Sequence, residues 1–278
     1  MDLSKQLEVA KEIAIKAGEE ILKIYNSYNP DEENSLEIKE KEEDSYKSPL
    51  TKADLIANKI IVDKLREEFP EYGVLTEEEV DNKERLQKEF VWIIDPLDGT
   101  KEFIKKNGEF TVNIALVFEN KPIMGVIFVP VKNELYYASN CGAFYEKLYS
   151  EKGSVEIHVS NKNNTEDMVF VKSRSHASEK LVSFLENVKF EEIISSGSSI
   201  KGCLVANGNA DVYLRLGPIN EWDICAMEAI IKGSGGEITD LEGKDLKYNK
   251  EFTLFKHGFL VSNKVIHEKL LSEVKNIV

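Results

Sequence analysis

Apolar and polar positions in the first part of this chain repeat with a helical period. Spacings of four and three place one set of apolar residues on a single face, which predicts a long amphipathic helix. That set is Leu3, Leu7, Ala10, Ala14, Ala17, Ile21 and Ile24. A second amphipathic helix is predicted from Thr51 to Phe69. Residues 29–48 between the two are so rich in charge that we expect a mobile flap or loop there.

From residue 72 the pattern changes to short apolar runs typical of strands. The predicted strands of this region are Tyr72–Thr76, Phe90–Ile94, Thr111–Phe118, Pro122–Val129, Glu134–Ser139 and Ala143–Lys147. Beyond residue 153, predicted strands (168–172, 191–195, 211–214, 258–262) alternate with predicted helices (177–187, 199–206, 223–232, 264–275). We therefore expect an α+β fold, with an N-terminal α+β half at residues 1–152 and a C-terminal α/β half at 153–278.

Composition narrows the class of protein. The chain has 278 residues, 42% of them hydrophobic, with a mean hydropathy of −0.32, which is typical of a globular protein with an ample core. The formal charge is −14, from 50 acidic and 36 basic residues. This charge argues against a nucleic-acid or acidic-membrane surface. An enzyme that acts on anionic phosphates would need bound cations to make the charge of its site positive.

Cysteine usage and the N-terminus bear on location. Cys141, Cys203 and Cys225 are odd in number and lack the spacing of metal ligands or redox pairs, which favours a reducing, cytoplasmic compartment. The first residues contain no apolar targeting segment, and no apolar stretch approaches the length of a membrane span. We expect neither a leader peptide nor a membrane anchor.

The candidate chemistry begins where the apolar run Phe90–Ile94 ends, in Asp95-Pro96-Leu97-Asp98-Gly99-Thr100. Two carboxylates beside a backbone carbonyl suit Mg²⁺, which prefers oxygen ligands and shares them with phosphates. The backbone N–H groups of Gly99 and Thr100, with the threonine hydroxyl, could receive a phosphate. The alternative is an ordinary turn between two strands, since all these residues form turns.

Three other acidic positions could complete such a site. Glu77 opens a run of three glutamates, which could equally be a solvated loop. Asp54 follows Thr51 by three residues, as in a capping box, and Asp223 could cap the helix that it precedes. Each acid alone is better explained by structure, but their occurrence together with the Asp95 turn favours a metal site.

Together these motifs resemble the signature of the inositol monophosphatase superfamily, whose members are Mg²⁺-dependent, lithium-sensitive phosphomonoesterases. The signature residues here are Glu77-Glu78, the segment 95–100 and Trp222-Asp223. Residues 101–115, 173–176, 196–201 and 214–218 resemble one branch, the CysQ-type 3'(2'),5'-bisphosphate nucleotidases. The resemblance extends from about residue 3 to residue 263. It implies a layered α-β-α-β-α sandwich of the inositol monophosphatase and fructose-1,6-bisphosphatase type.

The resemblance also implies roles for individual residues. Two or more Mg²⁺ ions are expected, with Asp95 touching both, Glu77 and the Leu97 carbonyl completing the first site, and Asp98 and Asp223 holding the second. Thr100 and Asp54 would form a dyad that orients and deprotonates the attacking water. Expected substrate contacts are Glu77, Leu97, Asp98, Gly99, Thr100, His176, Ser198, Lys201, Arg215 and Asp223. Of these, Lys201 or Arg215 would supply the fixed cation that a second phosphate requires.

The implied activity is hydrolysis of adenosine 3',5'-bisphosphate to AMP and phosphate by a monomer or homodimer. Alternatives are the same chemistry on inositol 1-phosphate or fructose 1,6-bisphosphate, or a non-catalytic sensor that binds Mg²⁺ or a nucleotide. Lys101-Glu102-Phe103 favours the nucleotidase, since the inositol and sugar phosphatases of the superfamily more often have Asn-Phe there. One departure is Met227, which occupies a position where the family usually has glycine.

Overall fold

The computed structural model describes residues 1–29, 39–43, 46–175 and 178–276, with side chains at all of these except 39–43 and 46–49. Its α-helices are α1 (Ser4–Ser27), α2 (Lys52–Glu68), α3 (Thr100–Ile104), α4 (Glu179–Asn187), α5 (Ile200–Ala206), α6 (Glu221–Gly233) and α7 (His267–Lys275). Short 3₁₀ turns cover Glu84–Gln87, Pro130–Lys132 and Thr165–Asp167. Both N-terminal helices begin and end within three residues of their predicted positions.

The larger sheet has seven strands in sequential order. They are β3 (Gly73–Thr76), β4 (Phe90–Asp98), β5 (Thr111–Phe118), β6 (Lys121–Val129), β7 (Glu134–Ser139), β8 (Gly142–Lys147) and β9 (Ser154–Glu156). Strand β3 runs parallel to β4, and the other pairs are antiparallel. The continuous apolar pattern of β4 has a simple cause, because both faces of this sheet are covered. Trp92 and Ile94 pack with α1 and α2, while Val91 and Ile93 pack with α5 and α6.

The second sheet has five strands in the order β11-β10-β12-β16-β14. These are β10 (Val169–Ser173), β11 (Glu192–Ser196), β12 (Val212–Arg215), β14 (Glu237–Thr239) and β16 (Phe259–Ser262). Val171 and Val261 face α5 and α6, whereas Phe170 and Leu260 face α4 and α7. The layers are therefore α1 and α2, the first sheet, α5 and α6, the second sheet, then α4 and α7. The predicted α-β-α-β-α sandwich is confirmed.

Helix α6 packs on the first sheet, and a glycine permits its close approach. A Cβ atom at Gly125 of β6 would overlap the carbonyl oxygen of Ala226 in α6 and lie 2.9 Å from the Ala229 side chain. Any larger residue at position 125 would push the helix off the sheet. The helix is thereby held where its Asp223, Ile224 and Met227 line the cavity described below.

The predicted loop at residues 29–48 is wrong in part. Strands β1 (Lys39–Glu43) and β2 (Tyr46–Leu50) form an antiparallel pair, with Lys39 opposite Leu50 and Glu43 opposite Tyr46. Charge density misled the interpretation because cross-strand pairing, not composition, stabilises a hairpin. Residues 30–38 and 44–45 of that segment lie outside the described residues. A further small pair, β13 (Ile219–Asn220) with β15 (Leu254–Phe255), has no signal in the sequence pattern.

Candidate functional site

The end of strand β4 presents the first acids of the site. Its pairing with β5 shifts register between Asp95 and Asp98, so the strand bends away from its neighbour where the two carboxylates lie. Gly99 follows with a φ of 96°, and a Cβ atom there would lie 2.9 Å from the carbonyl oxygen of Glu109. Only glycine tolerates both conditions. Helix α3 then begins at Thr100, where the sequence indicated only a turn.

Three carboxylates converge at this point. One oxygen each of Asp95, Asp98 and Asp223 lies within 4.8 Å of the others. Asp95 is buried and accepts a hydrogen bond of 3.0 Å from the backbone N–H of Leu97. The pKa of Asp223 is raised well above its usual value by burial and by the negative charges of Asp98 and Glu77, against a smaller opposing effect of Arg215. Such a cluster of like charges calls for a cation.

The donor set suits magnesium. Glu77, Asp95, Leu97, Asp98 and Asp223 all line one cavity. Every candidate ligand atom is a carboxylate or carbonyl oxygen, which is the hard donor that Mg²⁺ and similar ions prefer. The position of Glu77 follows from β3, which continues into it through a hydrogen bond of 3.3 Å between its N–H and the Ile94 carbonyl.

Asp98 is held by donors that the sequence analysis did not identify in full. Its Oδ2 atom accepts hydrogen bonds from the Ser198 hydroxyl (2.7 Å), the Ser199 backbone N–H (2.6 Å) and the Ser199 hydroxyl (3.0 Å). The Ser199 hydroxyl also contacts the Asp223 carbonyl at 2.9 Å, and its one hydrogen can serve only one of these acceptors at a time. Ser198 was predicted at the site, whereas Ser199 was not.

A buried amide supports these serines. The Asn113 side chain lies 3.0 Å from the Ser199 hydroxyl and makes a longer contact of 3.5 Å with Asp98. The Thr111 hydroxyl lies 2.8 Å from Asn113 Oδ1 and 2.6 Å from the Ser198 hydroxyl. Polar side chains at two alternate positions of an otherwise apolar strand are the signal in the sequence that could have identified them.

Asp54 and Thr100, the two residues expected to form a dyad, lie in contact with each other. The Thr100 hydroxyl lies 3.2 Å from Asp54 Oδ1 and 3.3 Å from the Leu97 carbonyl. The other oxygen of Asp54 accepts the Thr51 backbone N–H at 2.8 Å and the Thr51 hydroxyl at 2.5 Å. The capping box at the start of α2 is therefore present, and the same carboxylate reaches the site.

The cavity is lined by both acidic and apolar residues. Its volume is about 580 Å³, within the range of about 300–1,000 Å³ common for small-molecule sites. Besides the acids it is lined by Leu181, Tyr213, Leu214, Ile219, Ile224 and Met227. This arrangement can hold a charged group beside a flat or apolar one.

The predicted cations both line the cavity but differ in environment. Lys201 is 6% exposed, its Nζ atom donates to the Ser198 carbonyl, and it lies 5.2 Å from the centre of the Tyr213 ring. Arg215 is partly buried and donates to the Pro218 carbonyl at 2.8 Å. His176, the remaining predicted substrate contact, lies outside the described residues.

Gly202 makes room for Met227, the residue that departs from the family pattern. A Cβ atom built on Gly202 of α5 would overlap the Met227 side chain. Methionine thus fills the space between α5 and α6 that the missing side chain at position 202 leaves open. Both Ile224 and Met227 follow Asp223 on the cavity side of α6.

The remaining sequence predictions concern cysteines and membranes. Cys141, Cys203 and Cys225 are all free thiols, the latter two buried. Within the described residues, no helix has the length and apolarity needed to cross a bilayer.

The sequence matches a known protein family and several of its members. Residues 2–278 match the model of the inositol monophosphatase family. The chain is 38% identical over 257 residues to the 3'(2'),5'-bisphosphate nucleotidase CysQ of Salmonella typhimurium, covering 92% of this chain and 99% of the relative. It is 37% identical over 261 residues to CysQ of Buchnera aphidicola, covering 93% and 94%.

Solved structures agree with this assignment. CysQ from Bacteroides thetaiotaomicron superposes with a TM-score of 0.78 at 40% identity, covering 94% of this chain and 98% of that one. An IMPase from Thermotoga maritima superposes with a TM-score of 0.81 at 26% identity, covering 98% of each chain. The chain belongs to the inositol monophosphatase family.

Proposed function

We propose that this protein is a Mg²⁺-dependent phosphomonoesterase that hydrolyses adenosine 3',5'-bisphosphate to AMP and phosphate. One observation carries the proposal. The three-carboxylate cluster and Thr100, whose hydroxyl contacts Asp54, line one cavity that is large enough for a nucleotide. The similarity to nucleotidases named CysQ over more than nine-tenths of the chain favours this substrate class.

The residues that would hold magnesium are Glu77, Asp95, Asp98 and Asp223, with the Leu97 carbonyl. When bound, the ions would supply the positive charge that neutralises the phosphate and acidifies water. Asp95, buried and accepting the Leu97 N–H, offers a rigid carboxylate at the centre of the set. Without such cations the net charge of −14 would repel a bisphosphate.

The Asp54–Thr100 pair supplies the base. If the Thr100 hydroxyl donates to Asp54, the threonine oxygen keeps lone pairs that can accept a hydrogen from water. The proton can then pass through Thr100 to Asp54. Two donors from Thr51 fix the second oxygen of Asp54, so the carboxylate cannot rotate away from this task.

The second phosphate requires a cation away from the acids. Arg215 lines the same cavity without being one of the candidate metal ligands, so its fixed charge suits this role. Lys201, buried against Ser198 and Tyr213, would act mainly through the shape and potential of the wall.

We propose that the halves at 1–152 and 153–278 divide the labour, the first supplying most metal ligands and the second Asp223 and the substrate contacts. Strand β9 at 154–156 pairs with β8, so the first sheet extends just past that boundary. Cytoplasmic location and a monomeric or homodimeric state stay predictions from the sequence.

A panel of phosphate-release assays tests the function. Adenosine 3',5'-bisphosphate, inositol 1-phosphate and fructose 1,6-bisphosphate are compared at equal ionic strength, with Mg²⁺ and with a chelator. We expect kcat/KM for the nucleotide to exceed the others by about tenfold or more, because inositol 1-phosphate lacks a second phosphate and fructose 1,6-bisphosphate lacks a flat base for the apolar lining. Asp95→Asn is the inactive control. A preference for either sugar phosphate, or release that persists with the chelator, would contradict the proposal.

A further inference from the structure

We propose that Glu109 is a positioning residue for the metal site. It lies outside the set of metal ligands, and it acts by holding the turn of residues 197–199, whose donors orient Asp98. The inference rests on the proposed function, since it concerns the affinity for magnesium. We call Glu109, Arg174 and Gly197 together the Glu109 bridge.

Glu109 lies in the loop between α3 and β5, and its side chain contacts residues of the second half of the chain. Its two carboxylate oxygens accept hydrogen bonds of 2.6 Å each from the guanidinium of Arg174. The backbone N–H of Gly197 donates to the same carboxylate at 2.9 Å. The guanidinium also donates to the Ser195 carbonyl at 2.8 Å. One carboxylate thereby fixes the ends of β10 and β11 against the first half of the chain.

Close packing around Glu109 leaves the turn little freedom. A Cβ atom on Gly197 would lie 2.9 Å from the carbonyl oxygen of Glu109 and 2.8 Å from the side chain of Glu102. The carbonyl of Glu109 is equally close to the Cβ position of Gly99. Gly99 and Gly197 therefore both pack against the Glu109 carbonyl. The segment that carries Asp98 and the turn that contacts Asp98 are thus positioned by the same residue.

The turn delivers its donors to Asp98 directly. Ser198 has a φ of 53°, a left-handed conformation that a serine adopts only when its surroundings impose it. In that conformation the hydroxyl of Ser198 and the N–H of Ser199 both point at Asp98 Oδ2, at 2.7 and 2.6 Å. Loss of the Glu109 bridge would let the turn relax, and Asp98 would then have to be reordered each time a cation binds.

The bridge is placed so that its removal should affect the site more than the fold. The Arg174 side chain is 44% exposed and that of Glu109 19%, so either can be solvated when its partner is lost. Burial acts to raise the pKa of Glu109, but Arg174 and the Gly197 N–H outweigh it and leave the pKa lowered. The carboxylate is therefore charged wherever the enzyme would be assayed, and its bonds are charge-assisted.

Mg²⁺ binding, measured by calorimetry on the full chain, tests the inference. Glu109→Ala should raise the Kd for Mg²⁺ by about tenfold, the lower end of what is found for groups that support metal ligands. Saturating Mg²⁺ should restore most of kcat. Glu109→Gln keeps an acceptor for Gly197 but loses the charge, so its shift should be smaller, and Arg174→Ala should fall between the two.

Glu242→Ala is the matched control, because it removes an exposed glutamate paired with Lys244 far from the site. It should leave the Kd unchanged. A Kd within twofold of the unaltered chain for all three bridge variants would overturn the inference, even if thermal stability fell. Failure of the unaltered chain to bind Mg²⁺ at all would instead overturn the proposed function, and this inference with it.

Discussion

Helices α2 and α6 begin in the same way and use the result differently. Each starts with a capping box in which the third helical residue is an aspartate, Asp54 after Thr51 and Asp223 after Asn220. Both aspartates accept the backbone N–H of their cap residue, at 2.8 and 2.9 Å. Both also reach the same site.

The difference lies in what surrounds each carboxylate. Asp54 is contacted by hydrogen-bond donors, the Thr51 N–H and the hydroxyls of Thr51 and Thr100. Asp223 lies among acids, with Asp95 and Asp98 within 4.8 Å, and its pKa is raised by burial and by the charges of Asp98 and Glu77. The donors hold Asp54 against Thr100 as an acceptor, whereas the acids around Asp223 create a place for a cation. The local motif sets the position of the carboxylate, and the neighbours set its role.

The largest effect is expected for Asp223→Asn, which should weaken metal binding where a change at Asp54 should not. Asp223→Asn keeps an acceptor for the Asn220 N–H, so the helix should form, but a charged ligand is lost. Removing one partner of such an interaction costs about 3–5 kcal/mol, or roughly a hundredfold to several thousandfold. We expect both turnover and Mg²⁺ affinity to fall by that order, as measured by phosphate release and calorimetry. Normal Mg²⁺ affinity in this variant would remove Asp223 from the metal site.

Asp54→Asn should have the opposite pattern, with turnover lowered and Mg²⁺ affinity retained. The amide oxygen can still accept from Thr51, but the group can no longer take a proton. Loss of a general base lowers kcat by about a hundredfold. The affinity for Mg²⁺, measured in the same calorimeter, should stay within about twofold of the unaltered chain. If Mg²⁺ binding fell as far as in Asp223→Asn, the division of roles between the two helices would be wrong.

Glu228, another acid on α6, sharpens the comparison because its pKa is also raised although it is not a candidate metal ligand. Burial raises the pKa of Glu228 to about 7, although the Tyr248 hydroxyl donates to it at 2.6 Å. Unfolded, it would titrate near 4.5, so the folded chain binds more protons between these values. Its contribution to stability is full below pH 4.5 and is lost as the pH rises through 7.

Glu228→Gln should therefore stabilise the protein at pH 8 by about 1–3 kcal/mol and have little effect near pH 4.5. Urea unfolding at the two pH values measures this difference. Turnover and Mg²⁺ affinity at pH 7 should not change, in contrast to Asp223→Asn five residues earlier. An equal effect at both pH values would show that packing, not ionisation, dominates at position 228.

The sequence predicted the parts of the site that local patterns encode. Asp54 was recognisable as a cap because spacing from Thr51 is a local property, and the apolar run before Asp95 predicted a buried strand. Asn113 and Ser199 were missed because their roles depend on a contact between β5 and the turn before α5, and the two residues are 86 positions apart in sequence. The hairpin at β1 and β2 was missed for a similar reason, since pairing between strands is not visible in either strand alone.

Alternating polar residues on β5 show where such reasoning could be extended. Thr111 and Asn113 interrupt a strand that is otherwise apolar and buried, and each finds a partner in the turn at 197–199 or in Asp98. The Asp54–Thr100 contact was predicted through family resemblance, because 46 residues separate the two in the chain. Long-range polar contacts are thus the part of the site that propensity and periodicity do not report.

The contact between Gly202 and Met227 restricts how this cavity can change. Replacing Gly202 alone drives a side chain into Met227, and replacing Met227 alone by glycine opens a void between α5 and α6. Neither single substitution leads without a loss of stability to a pair with the larger residue at 202 and glycine at 227. Libraries that aim to alter the substrate range of this enzyme should therefore vary positions 202 and 227 together, because their fitness effects are coupled through one shared volume.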